Sequence, residues 1–337
     1  MELKAKSIFN AEGDDSLQVR QLVGGNPTGI ANMNDVKYKW ASPLWSMMVN
    51  NFWIPEKVSL VEDKVTIKEL TADELVALKN TLSFLIALDS MQTANLPKIA
   101  DYITAPEVSA IFVIQAFQEQ IHSKSYQYIL QELFPSVDRE EIYNYWRSNP
   151  HLLKRNKFIA EQYELFNNDK TLENYKIALA ADYALEGIYF YDGFNFFYQL
   201  ASRNKGVGTS KIIRYIENDE VTHVDFMAKL IREIFDTKNP SDVAVLRNAM
   251  MTAAEHEISW GQEIYGDRIL GVSPESTEKY VKWLTNSRAK LIGIPAIFPG
   301  FTVNPYAYLD IKKRENFFET SVTEYSQSTS VAGWDDF

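Results

Sequence analysis

Glu119-Gln120-Ile121-His122 and its echo, Glu220-Val221-Thr222-His223, decide the reading of this chain. On a helix, each Glu-x-x-His sets a carboxylate and an imidazole one turn apart on the same face. The sequence holds only four histidines, and two of them stand in these matching settings. Each copy is preceded by an acid in an earlier helical stretch, Asp89 ahead of Glu119 and Glu186 ahead of Glu220.

The faces on which these acids fall matter more than the spacing. An acid on a helix is ordinarily a solvated surface charge. Here Leu82, Leu85, Ile86 and Asp89 follow one apolar stripe, as do Phe112, Gln115, Glu119, His122 and Tyr126. Leu179, Tyr183, Glu186, Phe190 and Phe194 form a third stripe, and Ile213, Ile216, Glu220, His223, Met227 and Leu230 a fourth. Four helices thus each place a carboxylate where a core residue belongs. Four unpaired buried carboxylates would cost several kcal/mol apiece, against a net stability of roughly 5–15 kcal/mol for a domain. Cations must therefore sit among them. Two divalent ions balance four carboxylates, and two neutral imidazoles complete the ligand set. The pattern predicts an all-α, ferritin-like helical bundle with a di-metal carboxylate site in its core.

Composition agrees. Of 337 residues, 46% are apolar, enough for a large core, and the mean hydropathy is −0.25. The one uncharged stretch long enough to span a bilayer, 291–309, is interrupted by Pro295, Pro299 and Pro305, so no membrane span is expected. Neither does the polar start read as a signal peptide. The net charge of −11 argues against a nucleic-acid partner. Absence of cysteine removes disulfides, thiolate metal sites and thiol catalysis, and fits a cytoplasmic protein.

Along the chain, residues 1–35 read as an irregular N-terminal arm, 36–310 as the helical domain, and 311–337 as a flexible tail. The aromatic stretch Lys37-Tyr38-Lys39-Trp40 to Ile54-Pro55 is expected to pack on the bundle. Thr71-Ala72-Asp73-Glu74 reads as a capping box, opening a helix to about Asn95, before Pro97. Thr104-Ala105-Pro106-Glu107 opens another, expected to run to Phe134, and further helices are expected over 137–148 and 151–166, from Thr171 to about Arg203, from Ser210 to about Asp236, and over 241–265 and 275–291. His151 and His256 read as surface histidines rather than ligands.

Several segments resemble, in order, those of the small, radical-generating subunit of class I ribonucleotide reductase. They are Leu88-Asp89-Ser90-Met91-Gln92, Glu119 to Tyr126, Leu185-Glu186-Gly187-Ile188-Tyr189-Phe190-Tyr191 and Asp219-Glu220-Val221-Thr222-His223. Lys37 to Trp40 and Phe317-Phe318-Glu319-Thr320 with Glu324-Tyr325 resemble that family's two ends, so the likeness covers nearly the whole chain. It implies that Asp89, Glu119, His122, Glu186, Glu220 and His223 hold the metals. By the same likeness Tyr126 becomes a phenoxyl radical, and Phe190 and Phe194 are the apolar residues near it. Trp53, which alone would read as an anchoring aromatic, would pass an electron and proton outward, with Asp219 linking it to His122. Tyr325 would relay the radical from the tail to a large subunit. Asn218 departs from the family, many of whose members carry a basic residue there.

What the resemblance implies is a radical generator that needs a partner: the chain has no thiol with which to reduce a nucleotide and no visible nucleotide-binding loop.

 The family also implies a homodimer and a large-subunit partner that captures the C-terminal tail. Residues 315–337 would reach roughly 75 Å if extended, at about 3.3 Å per residue. The carboxylate-rich shell accepts iron, manganese or a mixed pair; a di-iron centre is the first choice, with manganese–iron and dimanganese pairs open, the last needing a flavoprotein activator. Two other readings stay open at this stage. One is a di-metal oxidase of the desaturase or ligand-binding type, using the same six ligands without radical transfer. The other is an iron-storage or structural bundle.

Overall fold

The computed structural model describes residues 1–309, so Tyr325 and the rest of the expected tail lie outside the described residues. Among the described residues there is no β-strand, only two isolated bridges, Glu2 to Thr171 and Val23 to Ile103. Helices form the whole frame: α1 (Ala41–Asn50), α2 (Asp63–Thr66), α3 (Ala72–Ala100), α4 (Pro106–Leu133), α5 (Ser136–Asn144), α6 (Pro150–Asn168), α7 (Leu172–Ala184), α8 (Tyr191–Ala201), α9 (Val207–Ile234), α10 (Pro240–Ile264) and α11 (Pro274–Leu291). A π-helical segment, Leu185–Tyr189, joins α7 to α8. The long helices α3, α4 and α9 carry three of the four stripes, the other runs from α7 through the π segment into α8, and their shared interior holds the acids.

The helix starts are legible in local chemistry. The Thr71 hydroxyl accepts from Glu74 N at 3.1 Å while Glu74 Oε2 accepts from Thr71 N at 2.9 Å, a complete capping box. Asn149 and Ser273 cap α6 and α11, each followed by proline at the first helical position. α9 begins at Val207 rather than Ser210, because its cap comes from elsewhere in the chain. Buried Asp63 accepts from Gly208 N at 2.9 Å and from Thr209 N at 2.6 Å, a partner that local sequence does not reveal. α1 forms where only an aromatic packing stretch was expected; its buried Ala41, Leu44 and Met48 recur at helical spacing.

Pro97 does not end α3, which continues to Ala100. Burial of Leu96 and Ile99 holds the last turn, and Lys6 Nζ donates to Ala100 O at 2.6 Å, placing a cation at the helix C-terminus. The same lysine shows that residues 1–35, though without a helix, are tied down. Arg20 pairs with the fully buried Glu107 at 3.1 Å, and Glu107 Oε1 also accepts from Lys37 N at 2.8 Å.

The expected single helix from Thr171 to Arg203 is instead interrupted around Glu186. A π turn widens the backbone and leaves carbonyls without their usual donors. Two arginines supply them: Arg288 Nε donates to Gly187 O at 2.9 Å, and Arg155 Nη2 to Tyr189 O at 3.2 Å. Gly187 fits because an added Cβ would meet the Arg288 side chain at 3.3 Å. Arg155 is itself fully buried, paired with Glu257 and lying 4.0 Å over the Phe84 ring. No helix among the described residues is long and apolar enough to cross a membrane.

Candidate metal centre

All six expected ligands are buried, and they converge. Ligand atoms of Glu119, Glu186, Glu220 and His223 lie within 4.8 Å of one another, as do those of Asp89, Glu119 and His122. Glu119 belongs to both groups and so would help to hold either of two ions. Glu220 also reaches across, its Oε1 standing 3.2 Å from His122 Nδ1 and its Oε2 3.3 Å from His223 Nδ1.

Both imidazoles point Nδ1 at the acids and Nε2 away. His122 Nε2 lies 3.2 Å from Asp219 Oδ2, and His223 Nε2 lies 3.0 Å from Gln118 Oε1. Each outer contact is an acceptor, so each ring carries its proton on Nε2 and keeps the Nδ1 lone pair for a metal. The donor set fits a metal pair in a second way. With the carboxylates ionised, both oxygens of Asp89 and Glu119, Glu186 Oε2, Glu220 Oε1 and His122 Nδ1 have no hydrogen-bond partner although fully buried. Orphaned acceptors at that density are stable only around cations.

Without cations the cluster would have to take up protons instead. Burial, then Glu119, pushes the Asp89 carboxyl well up; burial, then Glu186 and Glu119, does the same to Glu220. Burial opposes ionisation of Glu186 too, but a hydrogen bond from Glu220 and the His223 charge hold it at about 2. Burial pulls both histidines down, yet Asp219 and the surrounding acids outweigh it and raise them well above the usual range. The neutral imidazole a metal needs is thus favoured only when cations replace those protons.

Asp219 joins the cluster to Trp53. Its Oδ2 accepts from Trp53 Nε1 at 2.9 Å as well as facing His122 Nε2, and the Trp53 and His122 rings lie 6.4 Å apart at 26°. Tyr126 is fully buried, its hydroxyl facing the acids without a hydrogen bond of acceptable geometry. Burial first, then the charges of Asp89 and Glu220, raises its pKa well above the ordinary tyrosine value.

The family described as "Ribonucleotide reductase, small chain" matches residues 30–305. The chain belongs to that family. It is 39% identical to the ribonucleoside-diphosphate reductase subunit beta of Treponema pallidum, over 98% of this chain and 97% of the relative. The corresponding subunit of Halalkalibacterium halodurans is 34% identical over 99% of both chains. Among solved structures, a ribonucleotide reductase subunit from Clostridium botulinum superposes with a TM-score of 0.89 at 42% identity, covering 92% of this chain and 98% of that one. These relatives favour the reductase reading over the desaturase-like, storage and structural ones.

Within this small-chain fold, Phe190 and Phe194 are both buried and stack 6.0 Å apart at 9°, at the junction of the π segment and α8. His256 is not a surface residue: it is 7% exposed, bonded through Nδ1 to the Tyr189 hydroxyl at 2.9 Å, and held at about 4 by burial and by Lys154 and Arg155. His151 is half-buried, its Nδ1 2.9 Å from Ser259 Oγ. Neither joins the ligand groups.

Three contacts escaped sequence reasoning. Gln118 bridges the two halves of the outer shell, donating from Nε2 to Asp219 Oδ1 at 2.9 Å while its oxygen faces His223. Tyr215 packs its ring 5.3 Å from Trp53. Gln92, three residues after Asp89, donates to Glu186 Oε1. The position of Gln118, next to Glu119 on α4, was the only available signal, since an amide beside a ligand is as common on a solvated face.

Proposed function

We propose that this chain is the radical-generating small subunit of a ribonucleoside-diphosphate reductase and delivers an oxidising equivalent to a separate large subunit. The observation that carries the reading is the convergence of six ligands, with Tyr126 against their acids and Trp53 tied to His122 through Asp219. When bound, a redox-active metal pair supplies the oxidising power that amino-acid side chains lack. Iron, manganese or a mixed pair fits the oxygen and nitrogen donors; a di-iron centre is preferred, and a dimanganese one would call for a flavoprotein activator.

The residues of the chain divide the remaining work. Tyr126, whose raised pKa keeps the hydroxyl protonated, must give up its proton together with its electron, and Asp89 is the acid whose charge bears most on that hydroxyl. Buried apolar rings such as Phe190 and Phe194 keep water from a phenoxyl radical. Asp219 holds the Trp53 indole proton and the His122 Nε2 proton on one oxygen, so charge movement at Trp53 is coupled to the ligand shell. From Trp53 the hole would leave for the tail, residues 311–337, where Tyr325 would hand it to the large subunit. Because the chain has no cysteine, nucleotide reduction belongs to that partner. Pairing with a second copy of the chain is part of the same proposal.

The test is electron paramagnetic resonance and metal analysis of protein loaded with Fe(II), or with Mn(II), and exposed to air. A tyrosyl signal that disappears in Tyr126→Phe, with metal content retained, supports the reading. A signal that survives that substitution, or a chain that binds no metal pair, overturns it.

A further inference from the structure

Glu186 is gripped from outside the ligand cluster. Its Oε1 accepts from two side-chain amides, Gln115 Nε2 at 2.8 Å and Gln92 Nε2. Its Oε2 has no donor while the acids are ionised and stands 3.4 Å from His223 Nδ1. Two hydrogen bonds occupy the lone pairs of Oε1, which leaves Oε2 as the oxygen free for a cation.

The Gln92 amide can donate to Glu186 only if its oxygen is turned the other way, and that oxygen accepts from the Tyr163 hydroxyl at 2.5 Å. The same hydroxyl lies 3.0 Å from Asp182 Oδ1. A phenol has one hydrogen. If Tyr163 gives it to Gln92, it can meet Asp182 only as an acceptor, and Asp182 must then bring its own proton. Asp182 is fully buried, and burial followed by the charge of Glu186 favours its protonated form. Every donor then points one way, from Asp182 on α7 through Tyr163 on α6 and Gln92 on α3 to the π segment.

We propose that Asp182, Tyr163 and Gln92 form a one-way hydrogen-bond relay that fixes Glu186 as a one-oxygen metal ligand. This positioning role rests on the di-metal reading above. The wide π turn explains why the relay is needed: Glu186 sits on the least regular backbone in the core, so its carboxylate orientation is set by side chains rather than by a straight helix.

The experiment uses the full chain with Mn(II) as probe, comparing wild type, Tyr163→Phe, Asp182→Asn and Asp182→Leu. Free Mn(II) is followed by its paramagnetic resonance during titration, and carboxylate stretching bands are read by infrared difference between metal-free and loaded protein. Tyr163→Phe releases the Gln92 amide to turn over, so it should weaken Mn(II) binding about 10–100-fold, the usual effect of losing an outer-shell contact. It should also narrow the separation of the Glu186 carboxylate bands as the second oxygen engages. Asp182→Asn keeps a donor for the Tyr163 oxygen and should bind like wild type, as should Asp182→Leu, which leaves the Tyr163 hydrogen no acceptor but Gln92. A merely structural role would lower melting temperature without moving the bands. Unchanged binding and bands in Tyr163→Phe overturn the relay, as does weakened Mn(II) binding in Asp182→Asn, which would mean that Asp182 acts as an ionised acceptor; that measurement decides alone if Tyr163→Phe does not fold. A wild-type chain that takes up no pair of ions overturns the di-metal reading and the relay with it; normal wild-type uptake with unchanged variants overturns the relay alone.

Discussion

Asp219→Asn should damage metal binding without touching a metal ligand. The Asp219 carboxylate is buried and accepts from three donors, Trp53 Nε1 and His122 Nε2 on Oδ2 and Gln118 Nε2 on Oδ1. An amide of the same size has one acceptor oxygen. If that oxygen stays with Trp53 and His122, the new NH2 meets Gln118 Nε2, donor against donor. Gln118 can escape by turning over, but its NH2 then faces His223 Nε2, which must become an acceptor and carry its proton on Nδ1, the atom it offers to the metal. If the amide turns the other way, His122 suffers the same change. Either orientation strikes one ligating imidazole. Loss of an outer-shell partner typically costs about 10–100-fold in metal affinity, which is about 1.4–2.8 kcal/mol. A lost hydrogen bond to a charged group, about 1.5–3 kcal/mol, gives the same range independently.

The assay is a Mn(II) or Fe(II) titration of the full chain. Adding Gln118→Glu to Asp219→Asn should recover most of the affinity, because the relocated carboxylate accepts from both the new amide and His223 Nε2. Wild-type affinity in Asp219→Asn, or a double variant no better than the single one, would refute the tautomer argument.

Two further expectations concern the charges behind the π segment. Glu257→Leu leaves Arg155 buried beside an apolar side chain, so the midpoint of urea unfolding at pH 6 should report a loss of about 3–5 kcal/mol, most of it recovered on adding Arg155→Met; a double variant as unstable as the single one would contradict this. Burial pushes Asp192 up to about 7 from an ordinary 3.8, with Arg155 opposing. Between about pH 4 and 7 the unfolded chain has therefore released a proton that the folded chain keeps, and this group lowers stability as pH rises. Asp192→Asn should match wild type near pH 4 and exceed it by up to about 4 kcal/mol at pH 8. A stability difference that does not vary with pH would dismiss the assignment.

The frame and the burial of the candidate ligands were legible because both follow from helical periodicity. Asp89, Glu119, Glu186 and Glu220 stand on apolar stripes, and burial of a stripe places whatever it carries in the core. Helix ends were legible where the cap is local, as at Thr71, and illegible where it comes from a distance, as Asp63 does for α9. The continuation of α3 past Pro97 likewise depends on Lys6, far away in sequence. The π segment left no trace in the periodicity, since its stability comes from Arg155 and Arg288 on other helices. His256 read as exposed because Glu255 and Glu257 flank it, yet Glu257 points inward to Arg155 and takes that face of α10 with it.

The outer shell was the least legible part for a general reason. A metal ligand is restricted to a few residue types, and four helices repeating those types on their inner faces are improbable by chance. An outer-shell partner needs only one acceptor or donor, so Gln118, Gln92 and Tyr163 are chemically ordinary and identifiable only by position. Yet the direction of each hydrogen bond follows from the ligands themselves. His122 and His223 must keep Nδ1 unprotonated, which demands an acceptor at each Nε2; Asp219 and the Gln118 oxygen meet that demand. Gln118, having committed its oxygen, must donate, and Asp219 accepts from it, from His122 and from Trp53 together. An acceptor at Asp219 is thus required by the tautomers of the two histidines, and the link from the candidate metal centre to Trp53 is a consequence of that requirement.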